Sequence, residues 1–161
     1  MRIIVISDTH GNYSALSSVF IRNGDADWFI HLGDGERELD RFIIERPDFI
    51  EKVLHVSGNC DVGSLRPEYT VLPLPYGHRL FATHGHAVGV KSGLERLKAR
   101  AEKLECDIVL FGHTHVRRNS FEDGLYILSP GSASCPHDGR RPAFGTIDIS
   151  EAGVLLNIAD V

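Results

Sequence analysis

Cysteine is scarce in this chain: Cys60, Cys106 and Cys135 are widely spaced and never form a C-x-x-C pair. An odd, scattered set argues against a disulfide framework and points to a reducing compartment, so a cytoplasmic location is expected. Cys106 and Cys135 read as small semi-apolar fillers. Long hydrophobic runs are also missing. The stretch after Met1 and Arg2, "IIVIS", is far shorter than a signal h-region, and no later run approaches the length of a membrane span. No membrane association is expected. Positive charge is in deficit, with 17 Lys plus Arg against 22 Asp plus Glu and a formal net charge of −5. That balance argues against a nucleic-acid polymer as partner. It leaves room for a small phosphorylated substrate, because a metal site supplies positive charge locally. Repeats, low-complexity segments and linkers are lacking as well, so residues 1–161 are expected to form one domain.

What the chain does contain is a series of short apolar runs: "IIVI" (3–6), "WFIHL" (28–32), "VLHV" (53–56), "RLFAT" (79–83) and "IVLFG" (108–112). They are nearly continuous rather than alternating, as strands covered on both faces should be. Helical patterns lie between them. Residues 12–22 place Leu16, Val19 and Phe20 on one face behind a cap from Asn12 or Ser14, and residues 36–46 do the same with Leu39, Phe42 and Ile43. A third helix is expected over 91–105, with Leu94, Leu97, Ala101 and Leu104 at helical intervals. Trp28 and the phenylalanines are expected in the core. The last third changes to strands without helices, over 124–129, 144–150 and 154–160, with "EDG" and "EAG" as hairpin turns. The pattern is that of a mixed α/β or α+β domain, with two sheets packed together and helices outside.

Polar glycine-containing turns follow each of the first five strands: "SDTHGN" (7–12), "GDG" (33–35), "GNCD" (58–61), "HGH" (84–86) and "GHTH" (112–115). Ligands gather at the carboxyl ends of strands in α/β sheets. Five such loops at one edge would bring together Asp8, His10, Asp34, Asn59, His84, His113 and His115. Glycine suits these loops because backbone must turn sharply close to the site. Imidazole, carboxylate and one amide oxygen are too hard a set for a thiolate-type zinc site and too rich in nitrogen for calcium. They suit Mn²⁺, Fe, Zn²⁺ or a similar ion. Seven ligands exceed the needs of one ion, but two ions about 3.5–4 Å apart with a shared carboxylate would use them all. His31 and His55 lie inside apolar strands as core or ligand-supporting residues, and His78 and His137 fall in presumed loops with no evident role. His86, next to His84, is left with three readings: orienting a ligand, touching substrate or facing water.

The ordered set D-x-H (Asp8, His10), G-D (Asp34), G-N-x-D (Asn59, Asp61), H-G-H (His84, His86) and G-H-x-H (His113, His115) resembles the calcineurin-like metallophosphoesterase superfamily. The short length, "GNCD" and "SPGS" (129–132) are similar to its small bacterial and archaeal phosphodiesterase branch. The resemblance implies a four-layer sandwich, two mixed β-sheets face to face and flanked by helices. It implies one metal on Asp8, His10 and His115, a second on Asn59, His84 and His113, and Asp34 bridging both, with Mn²⁺ the expected ion and Zn, Fe or Ni as alternatives. The implied reaction is hydrolysis of a small phosphodiester by a metal-activated hydroxide, with Asn59, Asp61 and His86 as further catalytic candidates. A homo-oligomer is also implied.

One position departs from the family pattern. Many members carry a histidine after the G-N asparagine, placed to protonate the leaving group; here it is Cys60. A thiol with an ordinary pKa near 8.5 is a poor general acid at neutral pH. Asp61 reads either as a ligand-orienting residue or as a tie for its loop. Arg117, Arg118, Arg140 and Arg141 follow site motifs, either as anion contacts or as solvated loop charges. Two rival functions remain: a protein-interaction scaffold, as in the similar retromer scaffold subunit of eukaryotes, and a phosphomonoesterase or nucleotidase. A lost ligand would favour the scaffold, yet all seven positions are filled.

Overall fold

The apolar runs become the parallel strands of two five-stranded sheets in the computed structural model, which describes all 161 residues. In chain order the elements are β1 (Arg2–Ile6), α1 (Tyr13–Arg22), β2 (Trp28–His31), α2 (Glu36–Glu45), β3 (Val53–His55), β4 (Tyr69–Pro73), β5 (Arg79–Thr83), α3 (Glu95–Lys103), β6 (Ile108–Phe111), β7 (Arg117–Glu122), β8 (Leu125–Pro130), β9 (Ala143–Ser150) and β10 (Gly153–Asp160). Short 3₁₀ turns occupy Pro47–Lys52 and Pro75–Gly77. One sheet runs β10-β9-β1-β2-β3 and the other β4-β5-β6-β8-β7. Strands β1, β2 and β3 are parallel, as are β5, β6 and β8. The antiparallel strands lie at the margins.

Three apolar layers hold these elements together. Ile3, Val5, Ile30, Leu32, Leu110 and Leu128 fill the space between the sheets. Ile4, Ile6, Phe29 and the buried faces of α1 and α2 form a second layer, and Phe81, Val109, Leu97 and Ala101 join the other sheet to α3. The result is the expected four-layer sandwich of helix, mixed sheet, mixed sheet and helix. Helix α1 starts where the Asn12 side chain accepts the Ala15 N–H, as its sequence suggests.

The layer under α1 and α2 is closed by phenylalanines. Phe20 stacks on Phe29 at 4.5 Å between ring centroids and meets Phe42 edge-on at 4.9 Å. Phe49 fills the remaining side at 5.3 Å from Phe29 and 5.2 Å from Phe42. Because Phe20 is fully buried, Phe20→Ala should leave a cavity and lower stability by about 3–5 kcal/mol. Urea unfolding measures this directly, and a loss below about 1 kcal/mol would show that the layer repacks.

Several sequence expectations need correction. The third helix occupies Glu95–Lys103 rather than 91–105, because Gly93 holds φ 142 before it and Glu105 turns left-handed, at φ 54, after it. Strands β4 and β7 carry no apolar run and were not expected. Both are edge strands, where polar residues and proline are tolerated because one side needs no ladder partner. The "EDG" turn therefore joins β7 to β8, and β8 also runs parallel to β6. Phe121 is largely exposed, against the expectation for phenylalanine, and Trp28 is only partly covered at the margin of the inter-sheet layer.

Candidate metal centre

All five polar loops leave parallel strands at their carboxyl ends, β1, β2 and β3 from one sheet and β5 and β6 from the other. Packing the two sheets face to face puts these ends at one edge. Asp8, Asp34 and His84 are buried there, while His10 stays exposed. Five of the seven proposed ligands sit in the left-handed region: Asp8 at φ 55, His10 at 44, Asp34 at 57, His113 at 65 and His115 at 56. Such backbone costs on the order of 1–3 kcal/mol per non-glycine residue and persists only where its surroundings enforce it. Aspartate and histidine are among the residues that tolerate it best.

Neighbouring segments supply that enforcement. The Asp8 carbonyl accepts hydrogen bonds from Ser132 Oγ at 2.7 Å and Ser134 Oγ at 3.1 Å. The Asp8 carboxylate takes the Ser7 hydroxyl at 2.5 Å and the His113 N–H at 3.0 Å on Oδ2. Asp34 Oδ1 takes the Cys60 N–H at 2.7 Å. Asp61 ties two loops together: its Oδ2 accepts the N–H groups of Asp34 and Gly58 at 2.8 Å, and its Oδ1 those of Gly35 and Glu36 at 3.0 Å. Two glycines of these loops leave no room for a Cβ, which would collide with Asp34 Oδ1 at Gly58 and with Ser7 Oγ at Gly112.

The ligand atoms then converge. Asp8, His10 and His115 bring their ligand atoms within 4.8 Å of one another, and Asp8, Asp34 and His84 do the same. Asp34 Oδ2 lies 3.9 Å from His10 Nε2 and 3.4 Å from His84 Nε2, which places it between the two groups. Asn59 Oδ1 is 3.1 Å from His84 Nε2, and the His113 ring centroid is 5.0 Å from that of His84. His86 stands apart from the carboxylates, with its ring 5.3 Å from His84 and 6.1 Å from His113 and with a buried Nδ1 lacking a partner.

The donor chemistry fits a cation. His115 Nδ1 faces the Cys135 carbonyl at 2.7 Å, and His84 Nδ1 faces the Leu32 carbonyl at 2.7 Å. A carbonyl only accepts, so both Nδ1 atoms carry hydrogen, and each ring in its neutral form presents an Nε2 lone pair. These lone pairs face further acceptors: Asp8 Oδ1 at 3.0 Å from His115, and Asn59 Oδ1 and Asp34 Oδ2 around His84. His10 Nε2 and His115 Nε2 stand 3.2 Å apart, and Asp8 Oδ1 is buried without a hydrogen bond. Acceptor facing acceptor needs positive charge between them, which a proton or a divalent ion supplies.

Without an ion a proton takes its place. Asp8 raises His115; burial would lower His84, but Asp34 with Asp8 outweighs it and raises that ring too, so metal binding must displace a proton from each. Burial alone would raise the Asp34 carboxyl, but His84 and the Cys60 N–H outweigh it and hold it well below the usual carboxylate range. Burial, with His84 and Lys91, lowers His113 to about 4, so its ring is neutral and ready to bind a metal. Burial, then Asp34, pushes the Cys60 thiol up to about 11, and it keeps its proton at neutral pH.

Several contributors carried no sequence signal of their role. Ser132, Ser134 and the Cys135 carbonyl come from the loop after β8 and fasten Asp8 and His115. His137 stacks on His115 at 4.4 Å, and His78 pairs with Asp107 at 2.5 Å away from the site. Arg117 is engaged by Asp138 and Asp160, and Arg118 by Glu122. Beside His10, Asp34 and Cys60 opens a cavity of about 490 Å³, lined also by Glu36, Arg37 and Asp40.

Comparison with known proteins places this geometry in context. The family model for the calcineurin-like phosphoesterase superfamily domain matches residues 1–152. The probable metallophosphoesterase YsnB of Bacillus subtilis is 31% identical over 163 residues, covering 99% of this chain and 91% of the relative. The phosphodiesterase YfcE of Escherichia coli K12 is 30% identical over 176 residues, covering 96% of this chain and 91% of the relative. The crystal structure of a conserved uncharacterised protein from Streptococcus pneumoniae TIGR4, described as a predicted phosphoesterase, superimposes with a TM-score of 0.84 at 29% identity and covers 99% of this chain and 88% of that one. Vacuolar Protein Sorting 29 from Cryptosporidium parvum, at 19% identity over 98% of this chain and 96% of its own, shares the fold with a TM-score of 0.73.

Proposed function

Because the chain belongs to the calcineurin-like phosphoesterase superfamily, we propose that it is a phosphodiesterase that uses two divalent transition-metal ions. Family membership supports a hydrolase acting on phosphoric esters, and a relative at 30% identity bears the name phosphodiesterase. The observation that carries the two-metal reading is the position of Asp34 Oδ2, within 3.9 Å of one histidine-carboxylate group and 3.4 Å of the other. Asp8, His10 and His115 would hold one ion and Asn59, His84 and His113 the second, with Asp34 shared; Mn²⁺ is the ion we favour. When bound, the pair supplies an activated water at neutral pH and electrophilic stabilisation of the phosphoryl oxygens.

The chain's own residues set the selectivity. Glu36 and Asp40 stand at the cavity beside the centre, with Arg37 as the cation of its lining. Arg66 is taken up by these carboxylates, at 3.7 Å from Glu36 and 3.0 Å from Asp40, so the lining offers no dense cluster of free cations for a dianionic monoester, and a monoanionic diester is the better match. Cys60 holds its proton at a position next to Asp34, yet a thiol at about 11 is a weak acid for a departing alkoxide. Diesters with good leaving groups should therefore react best. Cys60→His should raise kcat for alkyl diesters by about 10-fold or more and leave aryl diesters nearly unchanged. An equal effect on both would remove Cys60 from leaving-group chemistry.

The test of the function uses protein stripped by chelator and supplied singly with Mn²⁺, Zn²⁺, Ni²⁺, Mg²⁺ or Ca²⁺. Bis(p-nitrophenyl) phosphate should be turned over with a transition metal, and faster than p-nitrophenyl phosphate. A preference for the monoester would make the protein a phosphomonoesterase. No turnover despite stoichiometric metal uptake would favour an interaction scaffold.

A further inference from the structure

Beneath the proposed metal ligands lies a chain of buried polar groups that touches no ligand atom. Thr9 and His31 are fully buried, and Glu38 is 8% exposed. Thr9 Oγ1 donates to Glu38 Oε1 at 2.6 Å, and the same oxygen takes the Gly11 N–H at 2.6 Å. His31 Nε2 stands 3.1 Å from Thr9 Oγ1, and the Gly33 N–H donates to His31 Nδ1 at 3.1 Å. These contacts fix every proton. Since Gly33 donates to Nδ1, the neutral ring must carry its hydrogen on Nε2, which donates to the threonine, and the threonine hydrogen goes to the glutamate. Burial, with the neighbouring His55 ring, keeps His31 well below its ordinary value and therefore neutral.

The two ends of this chain are the useful part. Gly11 follows His10 in the loop after β1, and Gly33 precedes Asp34 in the loop after β2. The same loops are joined above by Asp8 N–H to the Gly33 carbonyl at 3.1 Å and His10 N–H to the Asp34 carbonyl at 3.0 Å. Gly35 sits against the relay so closely that a Cβ would collide with Thr9 Oγ1. A threonine, a histidine and a glutamate from three elements thus span the gap between the loops that carry Asp8, His10 and Asp34.

We propose that Thr9, His31 and Glu38 form a positioning relay that sets the separation of these two loops, and with it the spacing of the ligands around the bridging Asp34. The role in spacing rests on the two-metal reading above; the relay itself does not. Buried groups that orient ligands in this way typically alter metal affinity or activity by 10–100-fold when changed.

The test uses the full chain with Thr9→Val, which keeps the shape and removes the hydroxyl, and Thr9→Ser, which restores it. In metal-free protein the Gly11 and Gly33 amides should exchange with deuterium at least tenfold faster in Thr9→Val and return to within about threefold of the original rate in Thr9→Ser. Titration with Co²⁺ should show the affinity of the second ion reduced about 10–100-fold in Thr9→Val, with a changed visible spectrum, and recovered in Thr9→Ser. Unchanged amide exchange overturns the relay. Faster exchange with unaltered Co²⁺ affinity and spectrum overturns its role in spacing the ligands. An unsubstituted protein that takes up only one ion sinks the two-metal reading, and amide exchange still decides whether the relay exists. If Thr9→Val does not fold, Glu38→Gln weakens the Gly11 end and is read by the same measurements.

Discussion

On the two-metal reading proposed above, Asp34→Asn should abolish metal retention and cut turnover of a diester by about 10³-fold or more, equivalent to roughly 4 kcal/mol of transition-state stabilisation. Asparagine matches aspartate in volume and its Oδ1 can still accept the Cys60 N–H, so the loop is retained. What changes is the atom at the Oδ2 position. A carboxylate oxygen standing between His10 and His84 becomes an amide nitrogen that donates to His84 Nε2, 3.4 Å away, and offers no negative charge to an ion near His10. Donor then meets acceptor at His84, where an ion would sit. The metal-free variant should be less stable than the original at neutral pH, because a carboxyl held below the usual range by His84 and the Cys60 N–H stabilises the fold in its charged form, and asparagine lacks that charge. Metal content after dialysis, kcat/KM on bis(p-nitrophenyl) phosphate and the urea midpoint test all three statements. Original-level turnover with a full complement of metal would refute the assignment of Asp34 as the shared ligand.

Asp61→Ala should be the most damaging substitution to stability among the site residues, at about 2–4 kcal/mol. Each of its carboxylate oxygens accepts two backbone N–H groups, and the alanine variant leaves all four without a partner. Two of them, Gly35 and Glu36, open α2, a helix whose own N-cap residue provides no side-chain hydrogen bond. For a chain of this size the melting temperature should fall by about 4–16 °C. The loss should also depend on pH. Burial would raise the Asp61 carboxyl, but His55 and the Glu36, Gly58 and Asp34 amides outweigh it and hold it well below the usual carboxylate range. Its contribution is therefore present in full above the ordinary value near 3.9 and is lost as pH falls through the lower folded value. The gap between original and variant should be constant from neutral pH to about 5 and close under acid conditions. With both oxygens so occupied, we assign Asp61 a positioning role rather than contact with substrate, and a variant of unchanged stability would contradict that.

Much of this protein was legible in its residues. Continuous apolar runs such as "IVLF" mark strands covered on both faces, and β6 is buried at every position. Polar turns directly after such runs mark the edge where ligands gather, since strand direction alone brings carboxyl ends together in a parallel sheet. The edge strands β4 and β7 were invisible, because a strand with one free side and one exposed face needs no apolar pattern. The loop after β8 was legible only through "SPGS" (129–132), as a mark of the resemblance and not of any contact. Its serines act through contacts 124 and 126 residues away in sequence, at the Asp8 carbonyl.

By itself the sequence determined which ligand-type side chains are present, their number and the order in which the strands deliver them, because these follow from residue identity and strand periodicity. Only the tertiary structure decided how they meet. Five candidate ligands are held left-handed by partners from other loops, His84 and His115 expose Nε2 because distant carbonyls claim Nδ1, and Thr9 reaches Glu38 on α2. Hydrogen bonds of this kind join segments far apart in the chain, and no local pattern encodes a partner that only packing brings within 3 Å.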